Sequence, residues 1–177
     1  MVNSKNRLSI RKVNKTDLEL LFDWANDPVV RKWSFKKHFL SMDEHKNWFN
    51  QRINNENVFM WIFEYNNSPI GIVRIEKKNG ECLLNYQISS KSRGKGLASQ
   101  MLKMTIDEYR NLFPNSNILG YTFPENIASI KSMEKAGFVL NDQNNKKSLI
   151  CYLNESINNS QEKLKILLLG PKKTIQK

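Results

Sequence analysis

The sequence predicts an α/β domain, a sheet flanked by helices, and three observations carry that expectation. Strand-type alternation recurs in short runs at 8–13, 58–65, 70–76 and 82–88. After Gly96 the apolar period changes, and Leu97, Met101, Leu102, Ile106, Tyr109 and Leu112 or Phe113 mark one side of a helix. A second, shorter helical stretch closes at Gly137, placed as a C-cap glycine, and Phe138-Val139-Leu140 starts a new strand.

The first element, Leu8-Ser9-Ile10-Arg11-Lys12-Val13, alternates as a strand. Thr16-Asp17-Leu18-Glu19 then matches a capping box opening a helix with Leu18, Leu21, Phe22 and Ala25 inward, and Pro28 stops or redirects it. Ser41-Met42-Asp43-Glu44 is a second capping box, followed by His45, Trp48, Phe49, Arg52 and Ile53 at helical spacing. The three strands at 58–65, 70–76 and 82–88 are separated by Asn66-Asn67-Ser68-Pro69 and Lys77-Lys78-Asn79-Gly80, so they form an antiparallel meander. In the last of them Leu84, Tyr86 and Ile88 share one face, and Leu83, Asn85 and Gln87 the other. A turn at Pro114, a strand over 118–123, the helix ending at Gly137, and strands near Phe138 and Leu149 complete the order.

A chain of 177 residues, 40% hydrophobic and 25% charged, has room for one domain with a substantial core. No apolar run approaches the ~20 residues of a membrane-spanning helix. The polar start Met1-Val2-Asn3-Ser4-Lys5-Asn6-Arg7 lacks a signal-peptide core, so a soluble, cytoplasmic protein without membrane insertion is expected. Cys82 and Cys151 sit in apolar runs as small hydrophobes, and two histidines give no zinc cluster, so no metal is expected. The net charge of +11 suits nucleic acid, an anionic membrane surface or a phosphate-rich small molecule. The cations are spread along the chain with no nucleic-acid module signature, which points to the small molecule and to no nucleic acid.

Two glycines and two cations join strand to helix in Ser92-Arg93-Gly94-Lys95-Gly96-Leu97-Ala98. There a side-chain-free backbone turns tightly, and the first helix amides, which lack internal partners, favour an anion. About thirty residues on, Asn126 to Phe138 supplies an asparagine, a serine three residues later, and a closing Gly-Phe. Together the two segments resemble motifs A and B of the GNAT superfamily, the acetyl-CoA-dependent N-acetyltransferases. Lys91-Ser92-Arg93-Gly94-Lys95-Gly96 matches motif A, with Lys91 at its usual Arg or Gln position, and Asn126, Ser129, Gly137 and Phe138 match motif B. The resemblance covers about 7–153 and implies a GNAT domain over 1–153. In that fold a splayed, mixed but mostly antiparallel sheet of about seven strands is flanked by about four helices. Residues 154–177 fall outside it: a polar linker leads into Lys165-Ile166-Leu167-Leu168-Leu169-Gly170-Pro171. That run is either the first strand of a second α/β domain, whose start resembles formyltransferase or Rossmann-like domains, or a terminal element packing on the first.

The resemblance also implies roles. Acetyl-CoA is the co-substrate, and the amine attacks its thioester directly in a ternary complex. Gln87, Ile88 and Ser89 pair with the pantetheine arm. Arg93, Gly94, Lys95, Gly96, Leu97 and Ala98 hold the pyrophosphate. Asn126 hydrogen-bonds the pantetheine, although it equally suits a helix N-cap, and Ser129 touches the CoA. Two departures stand out. The motif B tyrosine that protonates the leaving thiolate in many members is Met133 here, and a glutamate common five residues before the asparagine is Tyr121. The remaining catalytic candidates are Tyr121, Tyr86, His45, Glu125 and Glu76.

On the acceptor side, Trp24 to Arg31 and His45-x-x-Trp48-Phe49 are similar to patterns of two GNAT branches. One acetylates ribosomal-protein or other protein N-termini. The other, of the pseudaminic-acid pathway type, acetylates nucleotide-linked amino-deoxysugars, in the service of cell-surface polysaccharide biosynthesis. The second is preferred, with Trp24, Asn26, Arg31, His45 and Trp48 as substrate-binding residues. Aromatic Trp33, Phe35 and Phe39 would stack base and sugar, and Lys32, Lys36 and Lys37 would meet the diphosphate. A GNAT module that binds CoA without catalysis is the third reading, and the oligomeric state is left open.

Overall fold

The computed structural model describes residues 7–141 and 149–153, and the expectations for residues 154–177 lie outside them. The elements run β1 Leu8–Lys12, α1 Leu18–Ala25, α2 Pro28–Lys32, α3 Met42–Ile53, β2 Val58–Tyr65, β3 Ser68–Lys78, β4 Glu81–Ile88, α4 Leu97–Leu112, β5 Ile118–Thr122, α5 Ile127–Lys135, β6 Val139–Asn141 and β7 Leu149–Leu153. The seven strands form one sheet in the order β1-β2-β3-β4-β5-β7-β6. Every pairing is antiparallel except β4 with β5.

That parallel pairing shapes the molecule. It joins only Cys82–Leu84 of β4 to Ile118–Gly120 of β5, while β4 continues to Ile88 and β5 to Thr122. Past Leu84 the strands have no ladder between them and part, which opens the sheet at the C-terminal end of β4.

Strand alternation sends side chains to two cores. Trp61, Phe63, Val73, Ile75 and Leu84 meet Met101, Leu102, Ile106 and Tyr109 of α4 and Met133 of α5 on one face. Met60, Ile62 and Ile72 meet Leu21 of α1 and Phe49 of α3 on the other. At the end of α4 it is Phe113 that packs inward, and Leu112 is exposed. Gly137 ends α5 at φ 97°, with the Phe138 amide donating 3.0 Å to the Met133 carbonyl, the left-handed C-cap the sequence predicts.

Two local expectations are corrected. The first capping box is built by Asn14 and Asp17, not by Thr16 and Glu19: the Thr16 amide donates to Asn14 Oδ1 at 2.8 Å, and the Asn14 amide to Asp17 Oδ2 at 2.9 Å. A 3₁₀ turn over Lys15–Asp17 precedes α1 and moves the cap two residues back. Pro28 does not merely end α1. It is the first residue of α2, where its missing N–H is no loss, and Asp27 caps that helix through the Val29 and Val30 amides at 2.9 and 3.1 Å.

Candidate active site

The parted ends of β4 and β5, the start of α4, the start of α5, α2 with the loop to Leu40, and one side of α3 enclose a cleft of about 1040 Å³. At its β4 end the chain passes through Gly94 and Gly96 at φ 75° and 71°, values only glycine adopts without strain. Gly96 is the N-cap of α4 and offers no side chain, so the first amides of that helix have no side-chain acceptor. Arg93 lines the cleft beside them. Its Nη2 is 2.7 Å from Asp27 Oδ1, tying the glycine junction to the cap of α2. Burial raises the Asp27 carboxyl, but Arg93 and the Val30 and Val29 amides more than offset this and hold it below its usual range.

Tyr86 of β4 donates a hydrogen bond of 3.0 Å to Ser129 Oγ, and the Ser129 amide donates to Asn126 Oδ1 at 3.2 Å. Asn126 therefore does cap α5, and both residues line the cleft. Tyr121 faces the same space and is 41% exposed. Met133 is buried and packs directly on Gly120, where any larger residue would strike its methyl group. The position held by a tyrosine in many acetyltransferases is here part of the floor.

Of the other residues singled out from sequence, Gln87, Ile88, Leu97, Ala98, Arg31, Trp48, Trp33, Phe35 and Lys36 also line the cleft. Several do not. Ser89 bonds Ser92 through its hydroxyl at 3.1 Å and Ile70 through its amide at 2.8 Å, which makes it a brace of the loop. Lys95 and Glu125 point to solvent outside the lining. Glu76 is held by Arg52 and Arg74 at 3.0 and 2.6 Å and does not line the cleft. Trp24 packs into the α1/α3 core, and Asn26 spends both amide atoms on the Leu40 backbone, at 3.1 and 2.8 Å, so each is structural.

His45 also lines the cleft, but its ring is engaged by the fold around it. It is 2% exposed, its Nε2 is 3.1 Å from the Leu18 carbonyl, and its ring stacks on Trp48 at 5.4 Å. Burial pushes its pKa down. Arg31 lies at the cleft wall but donates to the Lys36 and His38 carbonyls at 3.2 and 3.5 Å, shaping the loop it belongs to.

Sequence reasoning missed Thr122, Arg74 and the Asp27 link. Thr122 Oγ1 is buried at the cleft without a hydrogen-bond partner among the described residues. Arg74 follows Ile72 on a core-facing strand position, and a cation in that pattern is the signal that marks it. Among the described residues no cluster suited to a metal ion occurs, and no helix is long and apolar enough to cross a membrane.

The profile of the acetyltransferase (GNAT) domain family matches residues 7–139. An uncharacterized N-acetyltransferase p20 of Bacillus licheniformis is 27% identical over 141 residues, 75% of this chain and 79% of that protein. An uncharacterized protein of Methanocaldococcus jannaschii is also 27% identical, over 146 residues, but these span 29% of its length. Among solved structures, spermidine N-acetyltransferase from Vibrio cholerae, in complex with CoA and spermine, superposes with a TM-score of 0.71 at 20% identity, covering 85% of this chain and 94% of the other.

Proposed function

Because this chain belongs to the acetyltransferase (GNAT) family, acting as an acetyl-CoA-dependent N-acetyltransferase, we propose that its acceptor is a small anionic amine. A nucleotide-linked amino-deoxysugar is the favoured class. One observation carries the choice. Among the described residues, the charged side chains lining the cleft, apart from two histidines, are Arg31, Lys36, Arg52, Arg74 and Arg93 against the carboxylate of Glu44. A polyamine would enter against like charge, whereas a diphosphate would be drawn in.

The residues present fit acetyl-CoA. The uncapped amides of α4, the positive φ of Gly94 and Gly96, and Arg93 together form a pyrophosphate cradle. The free edge of β4 beyond Leu84, at Gln87 and Ile88, offers backbone groups for an extended arm. Acetyl-CoA supplies the carbonyl that the amine attacks. The chain's own contribution is position and proton traffic. Tyr86 passes its proton to Ser129 Oγ as the Ser129 proton goes into the cleft to the departing sulfur, in the role Met133 cannot play, and solvent returns a proton to Tyr86. Tyr121, facing the same space, is placed to orient a water, which carries the amine's proton out to solvent.

The test is acetyl-CoA turnover on a UDP-linked 4-amino-dideoxysugar, an N-terminal peptide and spermidine. The nucleotide-linked amine is expected to give the highest kcat/KM. Preference for spermidine would overturn the anionic acceptor, and preference for the peptide would favour the N-terminal reading.

A further inference from the structure

We infer that Arg52 of α3 and Arg74 of β3, arranged at the Trp48 ring, form the subsite that receives the phosphate of the acceptor. This rests on the anionic-acceptor reading above and assigns it to a place. Both guanidinium carbons lie 5.1 Å from the centroid of the Trp48 ring, and that ring is itself fixed by stacking on buried His45. Both Nε atoms approach the same oxygen of Glu76, Arg52 at 3.0 Å and Arg74 at 2.6 Å. Two cations thus share one carboxylate, and one positive charge remains at the cleft wall.

Arg74 is the more telling of the two. Its side chain is only 20% exposed, and among the described residues its buried Nε makes no hydrogen bond, although it is paired in charge with Glu76. Burial, against the pull of Glu76 and with the push of Arg52, brings it down to about 10. A guanidinium with most of its surface covered and its charge only shared with a second cation is unfavourable unless an anion joins it. The planar fork of arginine matches the paired oxygens of a phosphate, and the ring and Glu76 hold both forks in place before the acceptor arrives. Neither residue belongs to the glycine junction, so the acceptor phosphate and the CoA pyrophosphate have separate seats.

The experiment uses the full chain with saturating acetyl-CoA, a UDP-linked amino-deoxysugar as acceptor, its methyl glycoside as the uncharged counterpart, and UDP as inhibitor. UDP is expected to compete with the acceptor. Arg74→Gln and Arg52→Gln are each expected to raise the acceptor KM and the UDP inhibition constant by roughly 10- to 100-fold, the loss of one or two charge-assisted hydrogen bonds. The ratio of kcat/KM for the nucleotide-linked over the methyl acceptor should fall by the same factor, and the acetyl-CoA KM should stay within twofold. Arg74→Lys, which keeps charge but not the fork, should recover only part. UDP that competes with acetyl-CoA instead, or UDP inhibition unchanged in both glutamine variants, overturns the subsite and leaves the anionic acceptor standing. A wild-type enzyme that ignores UDP and acetylates spermidine overturns both. Should Arg74→Gln fail to fold, Arg52→Gln on the surface of α3 decides the matter by the same readings.

Discussion

Arg93 and Asp27, 66 residues apart, meet at 2.7 Å, so the glycine junction proposed as the donor cradle and the cap of α2 are held by one ion pair. The same Arg93 faces the cleft where pyrophosphate is expected. In the proposed donor site, CoA binding and the placement of α2 therefore draw on a common cation.

For Asp27→Asn the cap survives, since asparagine also accepts from helix amides, but the charge goes. Acetyl-CoA should bind no more weakly, and Arg93→Ala should raise its KM about tenfold, the worth of one charge-assisted hydrogen bond. Titration calorimetry with CoA checks both. Because Asp27 is depressed in the folded state, its stabilisation is present above its unfolded pKa and lost as pH falls through the folded value. The wild-type advantage over Asp27→Asn in thermal melts should thus hold at neutral pH and vanish under acid.

Tyr86→Phe and Ser129→Ala are each expected to lower kcat by about 100-fold, at the low end for loss of a positioned proton donor. Their double variant should lose little more than either alone, since the two act in one hydrogen-bonded chain. Stopped-flow or steady-state rates with acetyl-CoA in excess would decide it. A full rate in Tyr86→Phe would remove the relay.

Met133→Tyr restores the residue common in the family, yet it should not raise the rate. The ring has to enter space closed by Gly120, and overpacking of this kind destabilises by about 1–3 kcal/mol. Chemical denaturation would show the loss, and a faster enzyme would show that Met133 is not confined to the floor.

His45 gives a pH-dependent signature of a buried histidine. Its folded pKa is lowered by burial, so the unfolded chain binds the proton more readily. Stability should fall as pH drops below about 6.5, the ordinary histidine value. His45→Gln should flatten that slope while the pH–rate profile keeps its shape.

The elements that were legible in the sequence are those whose cause is local. The left-handed glycines before Leu97, the Ser41 to Glu44 capping box and the Gly137 cap each depend on a few neighbouring residues, and each stands where the pattern put it. The misplaced cap at Thr16 failed because Asp17 is drawn by Arg11, which binds it with two contacts of 2.8 Å from a neighbouring strand. Trp24 and Asn26 carried motif-like spacing, but whether such residues face a ligand or a neighbour is a tertiary fact. Arg74 was overlooked for the converse reason: nothing in its immediate sequence says that Trp48 and Arg52 come to meet it.

The three-residue ladder between β4 and β5 has a consequence for how this molecule can change. Apart from Arg74, the acceptor wall described here is carried between Asp27 and Arg52, one unbroken stretch of chain on the far side of that opening from the α4 and α5 core. On the acceptor reading proposed above, a single exchanged segment, spliced at the ends of α1 and α3 and keeping Asp27 as the partner of Arg93, retunes which amine is chosen while the donor cradle stays as it is.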